Sequence, residues 1–159
     1  MASSTTKKAV IRRFDREPLA GYVNPSSFLQ LTGAELLSAE GNLVLVPYLD
    51  IKTIAFVRDF ESAEPGRRVF QTRPKMEGLW LRMQLRDGEV MEGIMSNNLL
   101  QLEPHGFTLI PPDPFGNDQR IFVPRTALRT VEVLGVVGSP LKKRKAKPAA
   151  KEQIELFEE

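Results

Sequence analysis

The chain has no cysteine and only one histidine among its 159 residues. The first absence excludes a disulfide frame, a thiolate metal site and a cysteine nucleophile, and it fits a reducing cytoplasm. The one imidazole, His105, cannot build a zinc site or a Ser/His/Asp set, and its place before Gly106 reads as a hairpin turn. Long apolar runs are missing too: the longest, Leu43 to Leu49, is interrupted by Pro47 and falls far short of a membrane span. Residues 1–8 are rich in Ser and Thr, and the apolar stretch after them is broken by Arg12 and Arg13, unlike a signal peptide. Glycines are scattered, so no phosphate-cradling loop is present. Asp113 and Asp118 share one loop and read as solvated carboxylates rather than a cation site. The expectation is a non-enzymatic cytoplasmic protein without cofactor, metal or membrane contact.

Net charge is also scarce, at +2, but its layout is uneven. Residues 1–140 hold 16 basic and 16 acidic residues, whereas 141–159 hold 6 and 4. All six basic residues of that tail (Lys142, Lys143, Arg144, Lys145, Lys147, Lys151) precede its four glutamates. Residues 139–159, rich in Lys, Ala and Pro, are expected to be disordered, with a basic spacer followed by an acidic-apolar peptide. The spacer, at Lys142, Lys143, Arg144, Lys145 and Lys147, could contact nucleic-acid phosphates without sequence preference.

What is present is internal repetition. The segment Val46–Val57 aligns without gaps on Val123–Leu134, placing Pro47 on Pro124 and Thr53 on Thr130. Upstream, Phe28–Leu31 parallels Leu99–Leu102, and Gly21 parallels Gly93. Each copy is a series of short runs rich in Val, Ile, Leu and Phe, punctuated by turn signals such as Asp87-Gly88 and Glu40-Gly41-Asn42. The expected organisation is a disordered start at 1–8, a small β unit at 9–60, a connector at 61–77 held by Val69 and Phe70, a second β unit at 78–138, and the tail. Units this small bury modest cores, so the two should pack together.

A strand ended by proline, one tight turn and a last strand resemble the end of SH3-like and Sm-like small barrels. Two such barrels in tandem, in an all-β fold, are therefore expected. The Sm resemblance implies RNA contact through a loop Asn and a late Arg-Gly pair; Asn97 and Asn98 stand in a comparable loop, while Val133-Leu134-Gly135 lacks the arginine. Arg12 to Arg16 and Asn24-Pro25-Ser26 resemble the two motifs of PilZ domains, which bind cyclic dinucleotides, but Leu29 stands where a glycine is expected. These support the alternative of an RNA- or nucleotide-binding regulator. Tyr22, Phe28, Tyr48 and Trp80 are aromatic candidates for base stacking or, more ordinarily, for the core.

The tail peptide Gln153-Ile154-Glu155-Leu156-Phe157 resembles the motif by which bacterial polymerases and repair factors dock on the DNA sliding clamp. Gln153, Ile154, Leu156 and Phe157 fill its four restricted positions; the eukaryotic version needs aromatic residues that are missing here. The resemblance implies that Leu156 and Phe157 enter an apolar pocket while Gln153 fixes register by hydrogen bonding. It implies an adaptor recruited to the clamp, hence nucleoid-associated, acting in DNA replication or repair. DNA and a repair or polymerase protein held by the barrels are the further partners considered.

Overall fold

A computed structural model describes residues 6–61 and 66–138, which are all-β. The first half comprises β1 (Lys7–Arg13), β2 (Leu19–Val23), β3 (Gly33–Leu37), β4 (Leu43–Pro47), a 3-10 turn at Tyr48–Asp50 and β5 (Ile51–Val57). The second comprises β6 (Gly78–Leu85), β7 (Val90–Met95), a 3-10 turn at Leu99–Gln101, β8 (Gly106–Leu109), β9 (Asp118–Pro124), a 3-10 turn at Arg125–Ala127 and β10 (Leu128–Val137). Residues that alternate in the sequence alternate in space: Ala9 and Ile11 of β1 are buried while Lys8 is exposed. Tight connections use the residues they require, with Gly41 and Gly88 at positive φ after Glu40 and Asp87. Among the described residues no helix is long and apolar enough to cross a membrane.

The halves repeat one another in detail. β1 lies between β2 and β5, as β6 lies between β7 and β10. Ala9 faces Gly21 and Leu81 faces Gly93. Each last strand carries a bulge at the same place, Lys52 between the partners of Arg12 and Arg13, and Arg129 between the partners of Gln84 and Leu85. Pro47 and Pro124, with φ of −60° and −65°, each lead into a 3-10 turn of three residues. The glycines serve close approach: a Cβ on Gly33 or on Gly106 would lie 2.2 Å from the carbonyl oxygen of Val46 or of Val123. A Cβ on Gly21 would similarly meet the Leu37 carbonyl oxygen at 2.4 Å.

One expected correspondence shifts. The matching turns are built by Asn24 and Asn98, whose side chains accept hydrogen bonds from the amides of Ser26 and Leu100, and whose carbonyls accept from Ser27 and Gln101. The pairing of Phe28–Leu31 with Leu99–Leu102 is therefore off by three residues at this turn. What repeats there is an Asx turn, which tolerates different residues after the Asn, rather than an apolar string.

The halves are joined by sheet pairing as well as by packing. β5 pairs antiparallel with β9, Ile54 opposite Phe122 and Ala55 opposite Ile121. The result is a seven-stranded sheet ordered β4-β3-β2-β1-β5-β9-β8 and a three-stranded sheet ordered β10-β6-β7. An isolated bridge between Ile94 and Ile110, with reciprocal 2.9 Å hydrogen bonds, links β7 to the segment after β8. Two cores follow, and each borrows across the junction. Phe122 of the second half is buried among Ile11, Phe28, Leu36 and Ile54, whereas Ala55 and Val57 of the first are buried among Leu81, Met83, Leu109 and Ile121.

Candidate interaction surface

Several residues flagged by the sequence are engaged at the junction. The Arg12 guanidinium donates to both carboxylate oxygens of Asp118, at 3.2 and 3.4 Å, and Asp118 is buried. Asp118 thus opens β9 and faces β1, while Asp113 stays in the preceding loop. His105 stacks on Tyr48 of the other half, ring centroids 4.8 Å apart, and its carbonyl accepts from the Arg125 amide. Burial, and then the charge of Glu103, holds the Tyr48 phenol above its usual range. Lys52, at the β5 bulge, reaches Asp87 at 2.7 Å and also Glu89, which Arg68 Nε meets at 3.0 Å. Burial pulls the Lys52 ammonium down, but the hydrogen bonds to Asp87 and Glu89 and their charges outweigh it and raise its pKa; the Lys52 hydrogen bond lowers that of Asp87. Arg86 donates to the carbonyls of Leu49 and Thr126 and lies 4.0 Å over the Phe14 ring. These ties cross between the halves, so the body is held as one piece.

The connector is fastened by a buried carboxylate. Glu92 Oε1 accepts from Trp80 Nε1 at 3.1 Å and from the Phe70 amide at 3.2 Å, while Oε2 accepts from Arg82. Its own amide donates to the Arg68 carbonyl at 2.7 Å, and the Phe70 ring meets Trp80 edge-on. Of the two expected anchors, Phe70 is docked and Val69 is exposed. Phe28 and Tyr48 are buried, and Tyr22 packs edge-on against Phe60. The candidate stacking rings therefore serve internal packing. Glu92 could not have been found from the sequence, because it occupies a strand position facing a connector whose path is set by tertiary contacts.

A groove of about 500 Å³ runs where the halves meet, lined by Phe28, Phe56, Ile94, Met95, Phe107 and Arg120. Glu77, Asn97 and Glu103 add polar groups to its rim. Among the described residues no group of three His, Asp or Glu is disposed to hold a metal ion. The groove offers apolar surface and hydrogen bonds, and His105 is turned instead to Tyr48.

The most exposed apolar strand surface lies at the two outer edges of the body. On β4, Leu43 is 65% exposed and Leu45 50%, with Val44 between them. On β10, Val131, Val133 and Val136 are exposed, Val133 at 58%. Both strands end a sheet, and neither has a strand partner on its outer side among the described residues. An unpaired edge presents free backbone N–H and C=O groups, which proteins usually cover, charge or shorten. Both edges instead expose a run of aliphatic side chains, interspersed on β10 with exposed Arg129, Thr130 and Glu132, and Arg73 donates to the Val136 carbonyl there. Their residues stood out in the sequence only as strand formers, since edge or centre is decided by which strands pair.

Gln153, Ile154, Leu156 and Phe157, with Lys142, Lys143, Arg144, Lys145 and Lys147, lie outside the described residues. No curated protein and no solved structure matches the chain. A family match covers residues 5–135, running through both halves from β1 into β10 and leaving 136–159 beyond it. The chain belongs to that family, DUF6982, a family of unknown function.

Proposed function

We propose that this protein is a non-enzymatic adaptor that the Gln153–Phe157 peptide recruits to the bacterial DNA sliding clamp, where its double-barrel body acts in replication or repair. The observation that carries the reading is the peptide itself, with Gln153, Ile154, Leu156 and Phe157 at the four restricted positions. Leu156 and Phe157 would each contribute roughly 1.5–3 kcal/mol by burial, before the cost of ordering the peptide. The distance along the chain also suits a tether, since the residues between Gly138 and Gln153 span at most about 50 Å when extended. The body supports an adaptor through its exposed apolar edges, which are surfaces suited to protein contact. The cyclic-dinucleotide alternative needs the Arg12 side chain as a phosphate ligand, and Asp118 already holds it.

Purified bacterial clamp and the full chain provide the test. The intact chain should bind, and Leu156→Ala with Phe157→Ala should lower affinity by at least about a hundredfold, consistent with roughly 3 kcal/mol of lost burial. Equal affinity of the two forms, or none for either, would overturn the proposal. Contact of the basic spacer with DNA is tested by deleting residues 141–151, which should weaken DNA binding and flatten its salt dependence.

A further inference from the structure

The junction between the halves is a contact that the chain can make a second time. At that junction the last strand of the first half, β5, pairs with the fourth strand of the second half, β9. The equivalent strands left over are the last strand of the second half, β10, and the fourth strand of the first half, β4. These are the two edges described above, each without an outer partner among the described residues. The internal contact is not two-fold; it joins unlike surfaces, and a contact of that kind leaves one of each surface open at the ends of a pair.

The repeat predicts the register of such a contact. The gap-free alignment of Val46–Val57 on Val123–Leu134 places Ile54 on Val131, Ala55 on Glu132 and Phe56 on Val133. Continued three residues upstream at the same offset, which the matching pairs Gly33–Pro47 and Gly106–Pro124 support, it places Phe122 on Leu45, Ile121 on Val44 and Arg120 on Leu43. The observed pairs Ile54–Phe122, Ala55–Ile121 and Phe56–Arg120 thus map to Val131–Leu45, Glu132–Val44 and Val133–Leu43. Five of these six mapped residues are exposed aliphatics in the isolated body. The sixth, Glu132, stands within 3.7 Å of Arg82, which keeps its charge partnered beside the strand. Beside β4, Leu31 joins Leu43 and Leu45 in a shallow apolar depression, which extends the surface a neighbour would cover.

We infer that β4 and β10 form a head-to-tail interface between copies of this chain, β10 of one copy pairing antiparallel with β4 of the next in the register of β5 with β9. A second copy is favoured over a foreign strand because the chain already carries both halves of the contact and five of the six mapped positions are aliphatic. Backbone hydrogen bonds along the two edges and burial of Leu43, Leu45, Val131 and Val133 hold the copies together.

The two surfaces differ, so they can be blocked separately. Leu45→Lys spoils β4 and leaves β10 intact; Val133→Lys spoils β10 and leaves β4 intact. Both side chains are exposed, and thermal unfolding at low protein concentration should match that of the intact chain. In sedimentation of the full chain up to about 100 μM, the intact protein should grow in mass with concentration while each variant stays a monomer, its self-association weakened at least about tenfold. An equimolar mixture of the two variants should form a one-to-one dimer and nothing larger, since only one good contact remains between them. Leu100→Lys, on an exposed side chain in the 3-10 turn between β7 and β8, should associate like the intact chain. A monomeric intact protein, association that survives either variant, or a mixture that stays monomeric would each overturn the interface.

Discussion

Asp118 is a buried carboxylate whose partner stands on a different half of the molecule, and this makes Arg12 a structural residue. Arg12→Ala leaves that carboxylate buried and unpaired, and should cost about 3 kcal/mol in urea unfolding, whereas Arg12→Leu with Asp118→Leu should cost less. Lys52 behaves differently because Asp87 and Glu89 are partly exposed. The Asp87 pKa is lowered in the folded protein, so its share of stability is present above the ordinary value of 3.8 and is lost as pH falls through the folded one. That of Lys52 is raised, so its share is present below 10.5 and is lost as pH rises through the folded value. Solvent screening keeps the whole cluster small: Lys52→Met should lower stability by about 0.5 kcal/mol near neutral pH, and the gap from the parent should shrink as pH falls below the ordinary Asp87 value of 3.8. Arg12 and Asp118 both drew notice in the sequence, Arg12 for its spacing to Arg16 and Asp118 for its loop. Their pairing was hidden because 106 residues separate them and no local pattern links them.

At the scale of the element, the repeated glycines fix how closely strands cross. Gly106→Ala would drive a Cβ into the Val123 carbonyl, where backbone rather than a flexible side chain must give, and should destabilise by about 2 kcal/mol in denaturant titration. Gly33→Ala should do the same in the first half, a parallel that checks the repeat by energetics rather than by sequence. The end of each half was the most legible part. Pro47 and Pro124 stop a strand for a reason any chain obeys, and the apolar run after each reads as a strand; β5 buries its run, whereas β10 leaves Val131, Val133 and Val136 exposed. The match of Gly33 with Gly106 is not legible in the sequence, because a glycine gives no sign of which carbonyl it must approach. β5 and β9 were each readable as strands. Their pairing was not, since register across a junction is chosen by contacts far apart in the chain.

For the whole molecule, the shared cores predict one cooperative unit. Phe122 belongs by sequence to the second half and by packing to the first. Phe122→Ala should lower stability by about 3–5 kcal/mol, and amide hydrogen exchange should quicken in β1 and β5 as well as in β9. Intact protein should unfold in a single transition by both calorimetry and exchange; separate melting of the halves would contradict the exchanged core residues. The proposal for Gln153–Phe157 and for the basic spacer rests on residue identity, and the binding experiments above test it. The crossing of strand partners between halves also bears on how the protein is made. β5 is complete once Val57 has been synthesised, but the strand that covers its outer side begins at Asp118, a delay of roughly 3–12 s at ordinary elongation rates. Until β9 is made, β5 lacks that partner, and a β9 from a neighbouring chain could take its place; fast translation should therefore favour correctly closed monomers over exchanged ones, which the fraction of dimer made at slowed elongation checks.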